Sequence, residues 1–186
     1  MKVVRHWEFN GNLDDEDAGV PNFNLFMAAV TCVKLEFDKL FGLDTMNKIP
    51  LLIDNATKGS GYTPICTPVL NSYVCIKLGI KDGAYQSQVI YQFAHELTHF
   101  VFFSLCGLQK ELAGTLEEAV CSAGSLVFVK MFFPQDLERF KASLSGSKHL
   151  GYQQGARLAE AIKYDPDVFK NLVLQTAKSL DPSGRT

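Results

Sequence analysis

Two histidines and a glutamate within five residues, His95-Glu96-Leu97-Thr98-His99, are the residues of this chain best placed to do chemistry. On an α-helix, positions four apart lie about 40° from one another on the same face, so both imidazoles can converge on one divalent cation. Zn²⁺ accepts neutral imidazoles of this kind, as two of three protein ligands around a position left open for water. Glu96 sits beside that face, where its carboxylate can take a proton from the water without ligating the metal.

The bland alternative is a pair of core histidines bonded to backbone, with Glu96 in an ordinary ion pair. Against it, two of only four histidines in the chain fall at this spacing with the acid between them. The flanks are apolar on nearly every side: Val89, Ile90, Phe93, Ala94, Leu97, Phe100, Val101, Phe102, Phe103 and Leu105. A helix apolar all round belongs inside a protein. Buried imidazoles and carboxylates are costly to desolvate unless paired, and a divalent cation would pair them.

The helix carrying the motif is predicted over about residues 85–105, with Gly107 ending it. Upstream, residues 1–9 alternate weakly as a short strand, and Asp14-Asp15-Glu16-Asp17 reads as a solvated loop without the spacing of a calcium site. From a cap at Asn22 or Asn24, apolar residues including Leu25, Ala28, Ala29, Cys32, Val33, Leu35, Phe37 and Leu40 recur at helical spacing up to Gly42. An apolar run at 49–54, a turn-rich segment at 55–61 and β-like runs at 65–70 and 73–78 follow. Pro64 and Pro68 mark the first of these last two runs as an edge or interrupted strand. Downstream, helices are expected over about 115–132, 135–144, 152–163 and 165–180, with a frayed tail. The expected fold class is α+β in one domain, 1–186. A helix and a small, largely antiparallel sheet fill about 1–80, and a helical half over about 85–180 carries the motif helix.

A third ligand must come from beyond His99, and Glu117 and Glu118 open the next helix. Glu118 shares a helical stripe with the small residues Ser122 and Ser125, which would let its helix approach the motif helix, whereas Glu117 shares one with Cys121, Gly124 and Phe128. Thr115-x-x-Glu118 is also a capping-box pattern, which would turn Glu118 back to its own helix terminus and leave Glu117 as the ligand. Glu118 is favoured, with Glu117 as the alternative. With eighteen residues between His99 and Glu118, residues 85–132 resemble the gluzincin branch of the zincin metallopeptidases, where HExxH is followed by a Glu on the next helix. The resemblance implies a zinc-dependent peptidase with His95, His99 and Glu118 as ligands and Glu96 as general base. It also implies an oxyanion donor, for which His149, Tyr152 and Tyr164 are candidates by chemistry, and an edge strand for an extended substrate, assigned by analogy to residues 73–78. Thermolysin-like members carry an Asp four residues after their Glu to orient a ligand histidine; here that position is Ser122.

The resemblance implies a peptide or protein substrate, and composition argues against other partners. A formal charge of −2, with scattered Lys and Arg, argues against nucleic acid. No apolar run approaches a membrane span, and the N-terminal residues lack a secretory pattern. Five cysteines without a CxxC pair read as free thiols in a reducing cytoplasm, including Cys66 and Cys75, which a hairpin could bring near each other. Two other functions compete: a non-catalytic fold of this kind that binds a partner, for which Glu96 has no use, and zinc-dependent amide hydrolysis on a small molecule.

Overall fold

The computed structural model describes residues 7–9, 23–55, 64–80, 86–110 and 113–180. The acidic run at 14–17, most of the turn-rich segment at 55–61 and the tail at 181–186 lie outside the described residues. The chain is α+β, with a small sheet followed by a helical half. It runs β1 (Trp7–Phe9), α1 (Phe23–Phe41), a short α2 (Leu43–Met46), β2 (Leu51–Asn55), β3 (Ile65–Val69) and β4 (Tyr73–Leu78). Then come α3 (Gln86–Cys106), α4 (Thr115–Phe132), a 3₁₀ turn (Pro134–Asp136), α5 (Leu137–Ser145), α6 (Leu150–Ala161) and α7 (Pro166–Leu180).

The sheet order is β1-β2-β4-β3, and its pairing corrects the expected antiparallel sheet. β1 with β2 and β2 with β4 are parallel; only the β3–β4 hairpin is antiparallel. The chain crosses from β1 to β2 through α1, and a helical crossover returns the chain in the same direction. β4 is therefore an interior strand, and the expected edge at residues 73–78 is wrong. Among the described strands the edges are β1 and β3, and an edge position suits the Pro68 of β3. The Val74 N–H donates to Pro50 O at 3.0 Å, toward β2, so Pro68 opposite Val74, and Cys66 two residues on, turn their backbone groups away from β4.

α3 is the buried axis of the molecule, with residues 92–104 buried without interruption. Two side-chain amides lock its approach. Gln92 Oε1 accepts from Gly79 N–H at 2.8 Å, and Asn55 Oδ1 accepts from Ile80 N–H at 2.9 Å while its Nδ2 donates to Ile80 O. Gly42 (φ 82°) and Gly107 (φ 94°) end α1 and α3 in the left-handed region that favours glycine. The helical period of α1 is as expected, and its buried face includes the expected Ala29, Val33 and Phe37 but not every residue of the expected stripe. Phe26, Ala29, Val30, Val33, Phe37 and Phe41 are buried, while Leu25, Ala28, Cys32 and Leu35 face out. Phe37 stacks on Phe128 of α4 at 4.6 Å between centroids, so one apolar cluster joins the sheet and the helices. Among the described residues no helix is long and apolar enough to cross a membrane, and all five cysteines are free.

Candidate metal centre

α3 and α4 pack against one another with His95, Glu96 and His99 on the first and Glu117 and Glu118 on the second. The start of α4 settles the capping question. Gly114, not Thr115, is the cap residue; no side chain caps it, and Glu118 is not turned back. His95, His99 and Glu118 each offer a ligand atom, all within 4.8 Å of one another. His95 Nε2 lies 3.3 Å from Glu118 Oε2, and His99 Nε2 lies 3.5 Å from Glu118 Oε1. Ligands at the corners of a zinc tetrahedron with bonds of about 2.0–2.1 Å stand roughly 3.3 Å apart, and each of these separations, one to each Glu118 oxygen, is close to that. Glu118 Oε2 is buried and has no well-formed hydrogen bond, despite the nearby His95 nitrogen. A buried carboxylate oxygen in that condition is costly, and a cation between it and the imidazoles would satisfy it.

Glu117 does something else. Its Oε1 lies 2.7 Å from His99 Nδ1, and Lys110 Nζ donates to both of its oxygens at 2.8 and 2.9 Å. It thus meets the ring nitrogen of His99 that faces away from Glu118. Sequence reasoning weighed Glu117 only as a ligand and overlooked Lys110. The stripe that favoured Glu118 also needs correction. A Cβ on Gly155 of α6 would stand 2.3 Å from Ser122 Cβ, so Ser122 faces α6, not α3. The close approach to α3 is at Gly124, where a Cβ would lie 2.9 Å from Thr98 Oγ1. A readable signal for the α4–α6 contact was the spacing Gly151-x-x-x-Gly155, which puts two bare positions on one helix face.

That contact brings Tyr152 to the site. Its ring meets His95 edge to face at 5.8 Å and His149 at 4.7 Å. Tyr152, His95, Glu96, His99 and Glu118 line a cleft of ≈ 350 Å³ whose opposite wall is residues 64–68 on and before the edge strand. Of the oxyanion candidates, Tyr152 lies in the cleft and His149 stands behind it. Tyr164 is elsewhere, with Lys130 over its ring at 4.5 Å.

The electrostatics divide the carboxylates. Burial pushes the Glu96 carboxyl above its ordinary range, against the attraction of His95 and His99. Burial acts the same way on Glu118 and Glu117, but is outweighed there. The close-lying rings of His95, His99 and His149 hold Glu118 low, and His99 and Lys110 hold Glu117 low. For His95, burial favours the neutral ring, yet the Glu118 carboxylate beside it and the charges of Glu96 and Glu117 raise its pKa. Three buried or half-buried carboxylates against Lys110 leave an electron-rich pocket suited to a divalent cation.

No family profile, curated protein or solved structure matches this chain.

Proposed function

We propose that the chain is a zinc-dependent peptidase. What carries this reading is the convergence of His95 Nε2, His99 Nε2 and the Glu118 carboxylate beside Glu96, on the floor of a cleft walled by an edge strand. His95, His99 and Glu118 would hold the ion, with the fit of distances and the orphaned Glu118 oxygen as support. Zinc held there would supply Lewis acidity toward the attacking water and the scissile carbonyl.

This chain's residues do the rest. Glu96, not a ligand, takes a proton from the attacking water as it adds to the carbonyl carbon and delivers it to the departing amine nitrogen, so that one water is consumed for each C–N bond cleaved. Its upward-shifted pKa suits both halves of that task, since a carboxyl nearer neutrality both accepts and returns a proton. The Tyr152 hydroxyl, held protonated by burial, can donate to the oxygen that becomes negative. Along the opposite wall, the backbone of Cys66 offers an N–H and a C=O to an extended chain, and Pro68 offers a C=O only. The free thiols suit a reducing compartment such as the cytoplasm.

The test is cleavage of a peptide library by zinc-loaded protein and by Glu96→Gln, which is nearly isosteric. The variant should keep its fold and its zinc and lose about 10²- to 10⁴-fold in kcat with KM little changed. Equal cleavage by both proteins would remove Glu96 from the mechanism, and no cleavage by the zinc-loaded wild type would count against a peptidase.

A further inference from the structure

The hydrolytic scheme uses Glu118 and leaves its neighbour idle, yet Glu117 is the more deeply buried of the two, at 2% exposed. We propose that Glu117 is the positioning residue of the site: clamped by Lys110, it fixes both the ring orientation and the tautomer of His99. This rests on the zinc reading for one of its two tests and is independent of it for the other.

The geometry is closed on every side. Glu117 Oε1 is 2.7 Å from His99 Nδ1, and a buried carboxylate can only accept, so Nδ1 carries the proton and donates it. In the neutral ring Nε2 is then the nitrogen left free for a metal, and it is Nε2 that lies 3.5 Å from Glu118. Lys110 Nζ bonds to both oxygens of Glu117, which stops the carboxylate from rotating off the ring. Lys110 is itself held. Its side chain is 8% exposed, and its ammonium sits 4.4 Å from the centroid of Phe103, one helical turn beyond His99 on α3. Four residues from three segments thus form a chain: Phe103 seats Lys110, Lys110 seats Glu117, and Glu117 seats His99. Consecutive residues on α4 point about 100° apart, which is how one helix start can place Glu117 behind His99 and Glu118 in front of it.

A carboxylate bonded to the far nitrogen of a ligand histidine raises its basicity and pins its ring, and losing such a partner typically costs about 10- to 100-fold in metal affinity. Glu117→Gln keeps the shape and one acceptor oxygen but turns an amide N–H₂ toward Lys110; Glu117→Ala removes the group. The first measurement is zinc affinity of the full chain by competition with a chromophoric chelator, together with the visible spectrum of the cobalt-loaded protein. Weakening of about 10-fold or more in Glu117→Gln, with shifted cobalt bands and an intact fold, is the expected result. Zinc affinity within two-fold of wild type and unchanged bands would overturn the proposal. The second measurement needs neither variant nor metal: nitrogen NMR of the imidazoles in the metal-free wild type should find the His99 proton on Nδ1, and a proton on Nε2 alone would overturn it. If the wild type bound no zinc, the peptidase reading would fail while the tautomer still decided this one.

Discussion

Gly155→Ala tests how closely α6 lies on α4, the contact that delivers Tyr152 to the cleft. An alanine Cβ there would stand 2.3 Å from Ser122 Cβ, 2.8 Å from Ala119 O and 3.3 Å from Ala123 N. Carbon atoms in contact rest about 3.5–4.0 Å apart, so the helices would have to part by more than about 1 Å. Two of the three obstructing atoms are backbone and cannot swing aside. Overpacking of this kind costs about 1–3 kcal/mol, and the backbone contacts place this case at the upper end. Against it, alanine in a helix interior gains up to about 1 kcal/mol over glycine. The net is a loss of about 2 kcal/mol, or about 4–8 °C in Tm for a chain of this length. Urea titration and thermal unfolding of zinc-free protein would measure it. The sign is the sharp part of the prediction, because a glycine with open space around it gains stability as alanine. A Gly155→Ala protein as stable as wild type, or more so, would refute the close approach. Ser122→Gly in the same background should recover part of the loss by removing the nearest obstruction.

Gly151→Ala should combine a smaller loss, about 1 kcal/mol net, with weaker zinc binding, since its Cβ would press on Glu118 Cβ at 2.7 Å; chelator competition reads the second effect. Tyr152→Phe should lower kcat about 10- to 10³-fold with KM and zinc content little changed, read by steady-state kinetics on any cleaved peptide. Zinc-free Glu96→Gln should melt higher than wild type at pH 7. The folded-state pKa of Glu96 is raised by burial, so its ionisation opposes folding above that pKa, and the advantage of Gln should fade as pH falls through it toward the ordinary carboxylate value; melting curves at several pH values check this. Under native conditions a thiol reagent should modify exposed Cys32 first and spare Cys121, which is fully buried and held protonated by that burial, as peptide mapping would show.

Much of this architecture is legible in local sequence, because local rules set it. The apolar flanks of His95 and His99 placed α3 in the interior to within a residue at each end, and Gly42, Gly107 and Pro166 punctuate helices where their backbone preferences require. Strand partners are another matter. Alternation marks residues 73–78 as a strand but says nothing of which strands lie beside it, and the parallel pairs depend on where the chain returns after α1. In α1 the expected stripe held the buried Ala29, Val33 and Phe37 but also the exposed Leu25 and Leu35, since apolar residues on a surface are common. At the site, the chemistry of His95, Glu96 and His99 follows from their spacing, but the distinct placements of Glu117 and Glu118 do not. Both begin the same helix, and only the position of α3 and of Lys110 tells which one faces Nδ1 and which faces Nε2.

The most direct test is ligation of the metal itself. The purified chain, stripped with chelator, reloaded with zinc and dialysed, should hold about one zinc per chain, and X-ray absorption should show two imidazole nitrogens with the remaining ligands oxygen, at about 2.0–2.2 Å and without sulfur. Glu118→Ala should lose an oxygen ligand and most of the affinity, and His95→Ala with His99→Ala should abolish binding. No retained zinc in the wild type, or zinc held instead by His99, Glu117 and Cys121, whose ligand atoms also lie within 4.8 Å of one another, would contradict the centre described for His95, His99 and Glu118.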